Sequence, residues 1–552
     1  MTVDSSKLYK RRLSGWLSYA FASEVFVIVS LTLFLPICLE QFARDNGFLL
    51  PERTERCSAP DPTSEPTGRC VVKIGWFWID TASFSLYVYS LSVALQALTV
   101  ISMGGIADHP PHRKILLLTF AFFGALSAMT FLILPSSSPV WFLCALLASV
   151  ANVGFGASIV AMNSYLPSLA KDAPEVVQIM TEIQESTDDA REHVAENPDA
   201  PLIAPSEERT ELRARYDSEL SRAMSRISSL GIAMGYGAGI CLLIVALIPV
   251  TKMHGSTFSL RLAIGLSGIW WAVFTLPAAL WLPGANAAAA DEDATWQDSD
   301  GKWSVGREII AAWKRLGGML HPREIKRLRN TFKYLAAWFL LSDGFTTITS
   351  TAVLFGKTVL HMEPSSLILI GVLTPFSGIM GSLLWPMLQR RFGWSNLRII
   401  ITLVLLASVI PAYGCLGFLI HGGNLHFGGL TTPRRDVRPC ALFRCEILSI
   451  VFFLSLIWVA GSIYGAFQSY ARAFYAELLP PGEEARWYGL FSITDKSSSF
   501  IGPLVVGLIS DATGNIRYAF FFLVFMIWAA VPVLMSVDVE AGRKDAREYT
   551  YT

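Results

Sequence analysis

The stretch Phe84–Lys114 reads FSLYVYSLSVALQALTVISMGGIADHPPHRK. Its first part, Phe84–Ile106, carries no charged residue. It is long enough to cross the hydrocarbon core of a bilayer, which is roughly 30 Å thick and needs about 20 residues at about 1.5 Å each. A short charged turn follows, and a second apolar stretch begins at Ile115. This pattern predicts two membrane-spanning helices joined by a tight turn.

The same pattern recurs along all 552 residues and predicts twelve membrane-spanning helices. They cover Leu13–Leu39, Phe84–Ile106, Ile115–Leu134, Val140–Met162, Ile227–Val250, Leu262–Leu282, Phe332–Phe355, Leu367–Leu388, Leu397–Ile420, Ile447–Tyr470, Trp487–Ile509 and Tyr518–Val537. The composition agrees, because 53% of the residues are hydrophobic and only 16% are charged, against about 25% charged in soluble domains. The N-terminal apolar stretch Leu13–Leu39 has no small-residue cleavage site, so we interpret it as a membrane span and not as a removed signal peptide.

The basic residues of the short connections indicate the orientation of these spans. Arg113 and Lys114 separate spans 2 and 3, whereas the turn Pro135–Pro139 between spans 3 and 4 has no charge. Basic residues also precede span 1 and follow span 12. Because positive charge is retained on the cytosolic side, we expect both termini of this multi-pass protein to be cytosolic.

The spacing of the spans predicts an all-α integral membrane protein with two pseudo-symmetric six-helix bundles. The predicted units are a bundle over residues 1–282 with a cytosolic acidic loop at 163–226, a cytosolic linker over 283–331, a second bundle over 332–538 and a cytosolic tail over 539–552. The acidic, proline-containing loop is expected to be disordered or loosely helical. The linker predicts a basic amphipathic helix on the inner membrane face, interpreted as a tether between the bundles.

Several classes of protein are excluded by composition and motifs. The 44 basic residues only balance 44 acidic ones, so there is no excess positive charge for a nucleic-acid partner. No phosphate-binding Gly-x-x-x-x-Gly-Lys-Ser/Thr loop occurs, so no nucleotide and no ATP-driven transport are expected. We find no convergent catalytic residues and no zinc spacing of cysteines, and therefore expect neither an enzyme nor a metal or other cofactor. Two matched halves favour a transporter with a central binding site and alternating access over a channel.

Two carboxylates inside predicted spans are the leading functional candidates. Glu24 and Asp343 each lie eleven residues into the first span of their half, about 16 Å along the helix axis and near mid-bilayer. A carboxylate there costs about 2.5–3.5 kcal/mol and usually faces a cavity or a partner. We expect one or both to carry a coupling proton or to bind a substrate ammonium. The alternative is a buried carboxyl that only hydrogen-bonds a neighbouring helix.

Other polar residues within the spans are candidates for substrate hydrogen bonds. Tyr464 and Gln468 share a helix face in span 10, and Asn152 and Asn163 lie in span 4. Polar contacts between helices are the equal alternative for all four. Asp495 and Lys496 in span 11 are expected to reach the cytosolic interface or to pair with Arg472 or Glu477, which would give them a structural role.

The connection between spans 1 and 2 contains two cysteines, Cys57 and Cys70. It lies on the side opposite the cytosol in the predicted orientation. If that side is oxidising, the two residues can close a short disulfide loop. The sequence leaves their redox state open.

The turn after span 2 resembles a motif of the major facilitator superfamily. Gly104 and Asp108, followed by Arg113 and Lys114, match the Gly-x-x-x-Asp…Arg/Lys pattern of that family between spans 2 and 3. The resemblance implies close helix approach at the glycine and a latch between the carboxylate and the basic residues. Prolines replace the glycine that usually follows the Asp, and the related turn in the second half keeps its arginines but has no acid.

The whole chain also resembles a narrower group, the fungal autophagy-related vacuolar amino-acid effluxers. The resemblance rests on GWLSYAFASEVF in span 1 with LEQFARDNG after it, NSYLP from Asn163, and QSYARAFYAELLPPGEEARWYGLFSITDKSSSFIGP from Gln468. It implies a vacuolar-membrane protein that exports amino acids released by autophagic degradation, chiefly neutral ones such as leucine. Coupling of this export to protons is a further expectation. Two alternatives remain open, a facilitator for another small solute and a transporter-like scaffold or sensor in autophagy.

Overall fold

The computed structural model describes residues 3–57, 69–108, 110–196, 206–253, 256–284, 304–358, 364–420, 459, 461–480 and 484–549. These residues form a helical membrane protein with one small sheet. Ten of its helical segments are long and apolar enough to cross a membrane. The all-helical fold class is therefore confirmed, although the number twelve is not reproduced within the described residues.

The first half begins with one long helical rod. Its parts are α1 (Val3–Val25), a π-helical stretch (Phe26–Phe34) and α2 (Leu35–Asp45). The remaining helices are α3 (Thr81–Asp108), α4 (Pro110–Thr130), α5 (Leu143–Asn163), α6 (Leu166–Lys171), α7 (Pro174–Glu196), α8 (Ser206–Lys252) and α9 (Thr257–Trp281). Small residues permit close packing here. A Cβ atom at Gly154 would lie 2.7 Å from the Phe120 carbonyl oxygen.

The second half follows two linker helices, α10 (Val305–Met319) and α11 (Pro322–Arg327). Its helices are α12 (Arg329–Thr358), α13 (Pro364–Phe392), α14 (Asn396–Ile420), α15 (461–476), α16 (Glu484–Ser498), α17 (Ile501–Thr513), a short 3-10 turn (Ile516–Tyr518), α18 (Ala519–Met535) and α19 (Val539–Glu548). Much of predicted span 10 lies outside the described residues.

Predicted span 11 is not one helix, because a turn at Ser499 and Phe500 interrupts it between α16 and α17. The hydroxyls of Ser498 and Ser499 donate to the Asp495 carbonyl oxygen at 3.0 and 2.7 Å. Pro503 then lies in the first turn of α17, where its missing N–H is tolerated. The break therefore has local causes, and the carboxylate of Asp343 in another helix also stabilises it.

A three-stranded antiparallel sheet, absent from the sequence-based prediction, caps one end of the bundles. It consists of β1 (Phe48–Leu49), β2 (Cys70–Ile74) and β3 (Phe77–Asp80), with β2 in the centre. Cys57 and Cys70 form a disulfide with their Cα atoms 6.0 Å apart. We call this end the sheet end. The opposite end, which carries residues 3–12 and 539–549, is the terminal end.

The acidic connection at 163–226 is more regular than expected. Its described residues form α6, α7 and the first part of α8, and residues 197–205 lie outside the description. Val176 at the start of α7 is buried against the first-half core. Arg226 donates to Glu175 at 3.0 Å and thereby lowers the pKa of that carboxyl. Packing of its apolar residues therefore makes this segment helical, despite its charge.

Two hydrophobic cores lie mainly in the first and the second half, although the first also includes Val353 and Ile368 of the second half, and a third cluster joins the halves. The first core centres on aromatic residues such as Trp16, Phe26 and Trp271, the second on residues such as Trp338 and Trp487. The third cluster packs Leu86 of α3 against the second half, near the sheet end. The two halves are therefore pressed together at that end.

Candidate functional site

Glu24 lies in the last turn of α1, directly before the π-helical stretch. At this level α1 passes so close to α8 that a Cβ atom at Gly235 would lie 2.5 Å from Cγ of Glu24. The half-buried Glu24 carboxylate accepts no hydrogen bond from the part of the chain that the structure describes. The positive charges of Lys496 and Arg472, both from the second half, act on it. A carboxylate without a bonded partner in such a place is costly unless a ligand or a proton satisfies it.

Aromatic hydroxyls from both halves surround this group of charges. Tyr464 and Gln468 lie one turn apart on the same face of α15. Tyr464 lies near Tyr236 of α8 and near Tyr89 of α3. We call Glu24, Tyr236, Tyr464, Arg472 and Lys496 the central cluster. Glu24 comes from the first half and both bases from the second, where Asp495 pairs with Lys496.

Asp343 has a different environment from Glu24, although both lie in the first span of their half. Its Oδ1 and Oδ2 atoms accept from the Gly502 backbone N–H at 3.0 and 2.8 Å, and Thr347 donates to Oδ1 at 3.3 Å. Asp343 is 2% exposed. A carboxylate at this point satisfies an unpaired N–H and stabilises the positive end of the α17 dipole. Asp343 therefore binds the helix break of span 11. This fits the alternative of a buried carboxyl that hydrogen-bonds a neighbouring helix.

Asp495 and Lys496 are not paired as the sequence suggested. Asp495 accepts a hydrogen bond from Ser342 in the middle of α12 and pairs with Lys496 at 3.5 Å. Glu477 instead binds Asn396 and Arg543 at the terminal end. Because Asp495 contacts the neighbour of Asp343, the pair lies deep at the inner end of α16. This corrects the expectation that both residues reach the cytosolic interface.

Asn152 and Asn163 do not meet at one site. The Asn152 amide donates to Ser92 at 2.8 Å and its side-chain oxygen accepts from Gln96 at 3.2 Å, so it joins α5 to α3. Asn163 is exposed at the end of α5. Eleven helical residues separate the two, about 16 Å along the axis. Asn152 therefore fits the alternative of a polar contact between helices, and one small solute cannot touch both residues.

The turn after α3 differs from the expected latch. Arg113 donates to the Ala107 carbonyl oxygen at 3.0 Å and Lys114 to the Leu282 carbonyl oxygen at 2.9 Å. Both cations thus cap helix C-termini, where the dipole favours positive charge. Among the described residues, no atom of another helix comes within 4 Å of a Cβ built at Gly104, so they show no close helix approach there. The side chain of Asp108 lies outside the described residues.

A buried ion pair that the sequence did not predict joins the halves at the sheet end. Lys357 of α12 contacts Glu40 of α2 at 2.7 Å, and Arg44 contacts the same carboxylate at 2.8 Å. Glu40 is fully buried, and Thr81 donates to it at 3.3 Å. The sequence did offer one signal for this ion pair, because both residues lie at the ends of predicted spans, Glu40 within the segment LEQFARDNG.

Arg69 makes a second connection at the same end. It pairs with Asp80 at 2.9 Å and donates to the Ser510 carbonyl oxygen at the end of α17 at 3.1 Å. Asp511 accepts from the Asp80 backbone N–H at 2.7 Å. Burial raises the pKa of Asp80, and Arg69 acts against this shift. The disulfide at the adjacent Cys70 holds Arg69 at the edge of the sheet, so the sheet connects α17 to the first half.

Residues 9–547 match the model of a family described as "Vacuole effluxer Atg22 like". The chain belongs to this family. Autophagy-related protein 22 from Cryptococcus neoformans is 41% identical over 97% of this chain and 96% of that protein. Autophagy-related protein 22-1 from Neosartorya fischeri is 38% identical over 97% of this chain and 91% of that protein. The resemblance drawn from the sequence is confirmed.

Solved structures similar to this Atg22-like chain are membrane transporters. The POT family transporter PepTSo has a TM-score of 0.54 at 12% identity and matches over 96% of this chain and 98% of that chain. The xylose transporter XylE from E. coli has a TM-score of 0.53 at 9% identity, over 96% and 95%. At such identities the likeness shows the fold alone, which is that of major facilitator transporters. Family and fold are those of transporters and not of enzymes.

Proposed function

We propose that this Atg22-like protein exports neutral, leucine-like amino acids from the vacuole to the cytosol by alternating access. The observation that carries the proposal is the central cluster. The positive charges of Arg472 and Lys496 from the second half act on Glu24 of the first half. A zwitterion offers an ammonium to the carboxylate and a carboxylate to the two bases. Binding an amino acid would therefore connect both halves through the substrate.

The hydrogen-bonding groups of the central cluster suit the same ligand. The Tyr464 hydroxyl and the Gln468 amide share one helix face and lie beside Arg472. Hydroxyl and amide groups orient a small polar ligand inside an otherwise apolar site. The aromatic ring of Tyr464, 5.9 Å from the Phe345 ring, adds an apolar wall for a hydrophobic side chain. This combination favours neutral amino acids over sugars or ions.

The arrangement of contacts supports a state that is closed at the sheet end. Hydrogen bonds and ion pairs between the halves concentrate there, as in the contacts Glu40–Lys357 and Arg69–Asp511. The basic residues of the terminal end favour a cytosolic location for that end. The sheet end then faces the vacuolar lumen, and loading of substrate requires these contacts to separate.

Proton coupling is the finer part of the proposal and rests on Glu24. A carboxylate without a hydrogen-bonding partner in the described structure can accept a proton when it faces an acidic lumen and release it to a neutral cytosol. Lys496 and Arg472 oppose protonation as long as the halves stay together. Separation of the halves at the lumenal side would weaken that opposition and couple protonation to the conformational cycle.

Competition by substrate analogues tests the zwitterion site. Purified protein in liposomes is loaded with radiolabelled leucine, and exchange is measured against leucine, against the amine without the carboxylate and against the acid without the amine. We expect only leucine to compete, and expect Arg472→Gln to raise KM for leucine several-fold. The control Arg398→Gln removes an exposed arginine elsewhere and should leave KM unchanged. Equal competition by the amine or the acid would contradict the proposal.

A scaffold is the second candidate, favoured by the helical connection outside the bundles. Helices α7 and α8 pair through Glu175 and Arg226, which are both exposed. Such a surface can recruit a partner without any transport. Shortening this connection in the full-length protein tests the scaffold function.

A further inference from the structure

The linker helices α10 and α11 lie at the terminal end, where α10 packs beside the end of a membrane-spanning helix. Met319 of α10 is buried, and the Trp313 indole N–H donates to the Ser102 hydroxyl of α3 at 3.2 Å. Ser102 lies within the last turn of the membrane-spanning part of α3, which ends at Gly104. The contact therefore fixes α10 beside the end of a span, where lipid headgroups lie.

The outer face of α10 combines apolar and basic residues in separate strips. Ile310 is 57% exposed and Trp313 is 41% exposed. At about 100° per residue, Ile310 and Trp313 lie about 60° apart around the helix axis. The exposed Arg307 and Lys314 lie within about 60° of Ile310 on the side away from Trp313. A helix with this pattern buries its apolar strip at the headgroup and acyl boundary and turns its cations toward the phosphates.

Basic side chains outnumber acidic ones within the two linker helices. Residues 305–327 contain six basic and two acidic side chains. Glu308 pairs with Arg315 and Glu324 with Arg327. Arg307, Lys314, Arg323 and Lys326 make no ion pair within the part of the chain that the structure describes. These four cations are exposed, and Arg307 and Lys314 lie beside the apolar strip, a pattern that is complementary to an anionic membrane surface.

We propose that Arg307, Ile310, Trp313, Lys314, Arg323 and Lys326, here called the linker surface, bind anionic phospholipid headgroups of the cytosolic leaflet. An acidic protein segment offers the same charge. However, it provides no apolar layer for Ile310 and Trp313, so the exposed apolar strip favours a membrane. Anionic lipid would thereby hold the linker that joins the two halves.

Hydrogen exchange of the full-length protein in lipid nanodiscs tests this proposal without any transport assay. Exchange of residues 305–327 is compared in phosphatidylcholine alone and in phosphatidylcholine mixed with phosphatidylserine. We expect exchange to slow several-fold with phosphatidylserine, and expect added salt to reverse the effect, because salt screens exposed charges. This comparison uses the wild type only and so does not depend on the folding of a variant.

Two variants with the same loss of charge separate the linker surface from general attraction. The first carries Arg307→Gln, Lys314→Gln, Arg323→Gln and Lys326→Gln, and we expect it to lose the effect. The control carries Lys7→Gln, Lys10→Gln, Arg390→Gln and Arg391→Gln, all exposed, and should retain it. Equal exchange in both lipids, or equal loss in both variants, would overturn the proposal. So would protection by an added polyglutamate peptide and none by phosphatidylserine.

Discussion

At the scale of single residues, Glu24 and Asp343 show how the same residue type at the same depth acquires different roles. Asp343 is held by the Gly502 backbone and Thr347, whereas Glu24 accepts no hydrogen bond from the described residues and faces cations of the other half. Position along the chain predicted that both matter. It could not distinguish them, because the partner of Asp343 lies 159 residues away.

Gly502 provides a test of the helix break at this scale. A Cβ atom there would overlap Thr347 and would lie 2.8 Å from the Asp343 carboxylate, both of which are buried. We expect Gly502→Ala to lower stability by about 1–3 kcal/mol, as overpacking does. The thermal midpoint of the purified protein measures this loss.

A matched glycine serves as the control for Gly502→Ala. Gly489 lies in the neighbouring helix α16, and a Cβ atom there meets no atom of the described residues within 4 Å. Because glycine is unfavourable in a helix interior by roughly 0.5–1 kcal/mol, Gly489→Ala should leave the midpoint unchanged or raise it. If both variants melt alike, the tight contact at Gly502 is not what stabilises the break.

At the scale of elements, the sheet end is where α2, α3, α12 and α17 are joined by charge. Spans were predictable because apolar runs of about 20 residues are long-range patterns within one stretch of chain. The sheet was not, since β1 and β2 are only two and five residues long and are joined across a disulfide. The helical state of α7 was missed because its charged composition concealed buried residues such as Val176.

Lys357 provides the test of the sheet-end contacts. Lys357→Met removes one cation from the fully buried Glu40 and leaves Arg44 as its partner. We expect a loss of about 1–3 kcal/mol, the cost of an unmade hydrogen bond to a buried charged group. Hydrogen exchange of residues 69–81 should become faster, because separation of α2 from α12 releases the sheet.

The same substitution in the same helix is the control. Lys333 also lies in α12, but donates to the Ser536 carbonyl oxygen within the second half. Lys333→Met should not change exchange at residues 69–81. Unaltered exchange in Lys357→Met would mean that the ion pair does not keep the sheet end closed.

At the scale of the whole molecule, two separate cores joined at one end describe a transporter in one state of its cycle. The family and the fold could be predicted from the sequence, because the twelve apolar stretches and the family motifs are continuous in the chain. The central cluster could be predicted only in part. Its members come from α1, α8, α15 and α16, and only tertiary packing brings Tyr236 and Arg472 near Glu24.

Shortening the acidic connection separates transport from scaffolding. Residues 185–215 are replaced by a short Gly-Ser linker, which retains Val176 and Ile179, both buried in the first half. We expect leucine exchange and thermal stability to persist, because no residue of the central cluster is removed. Loss of exchange at unchanged stability would instead assign an essential role to this connection.

The most direct test of the central claim is leucine release from loaded proteoliposomes, with and without an inside-acid pH gradient. Three proteins are compared at equal amounts of folded protein: wild type, Glu24→Gln and Asp343→Asn. We predict that the gradient accelerates release by the wild type and by Asp343→Asn, and that Glu24→Gln abolishes this acceleration. Acceleration that persists in Glu24→Gln, or no protein-dependent release in any of the three, would contradict a substrate and proton site at Glu24.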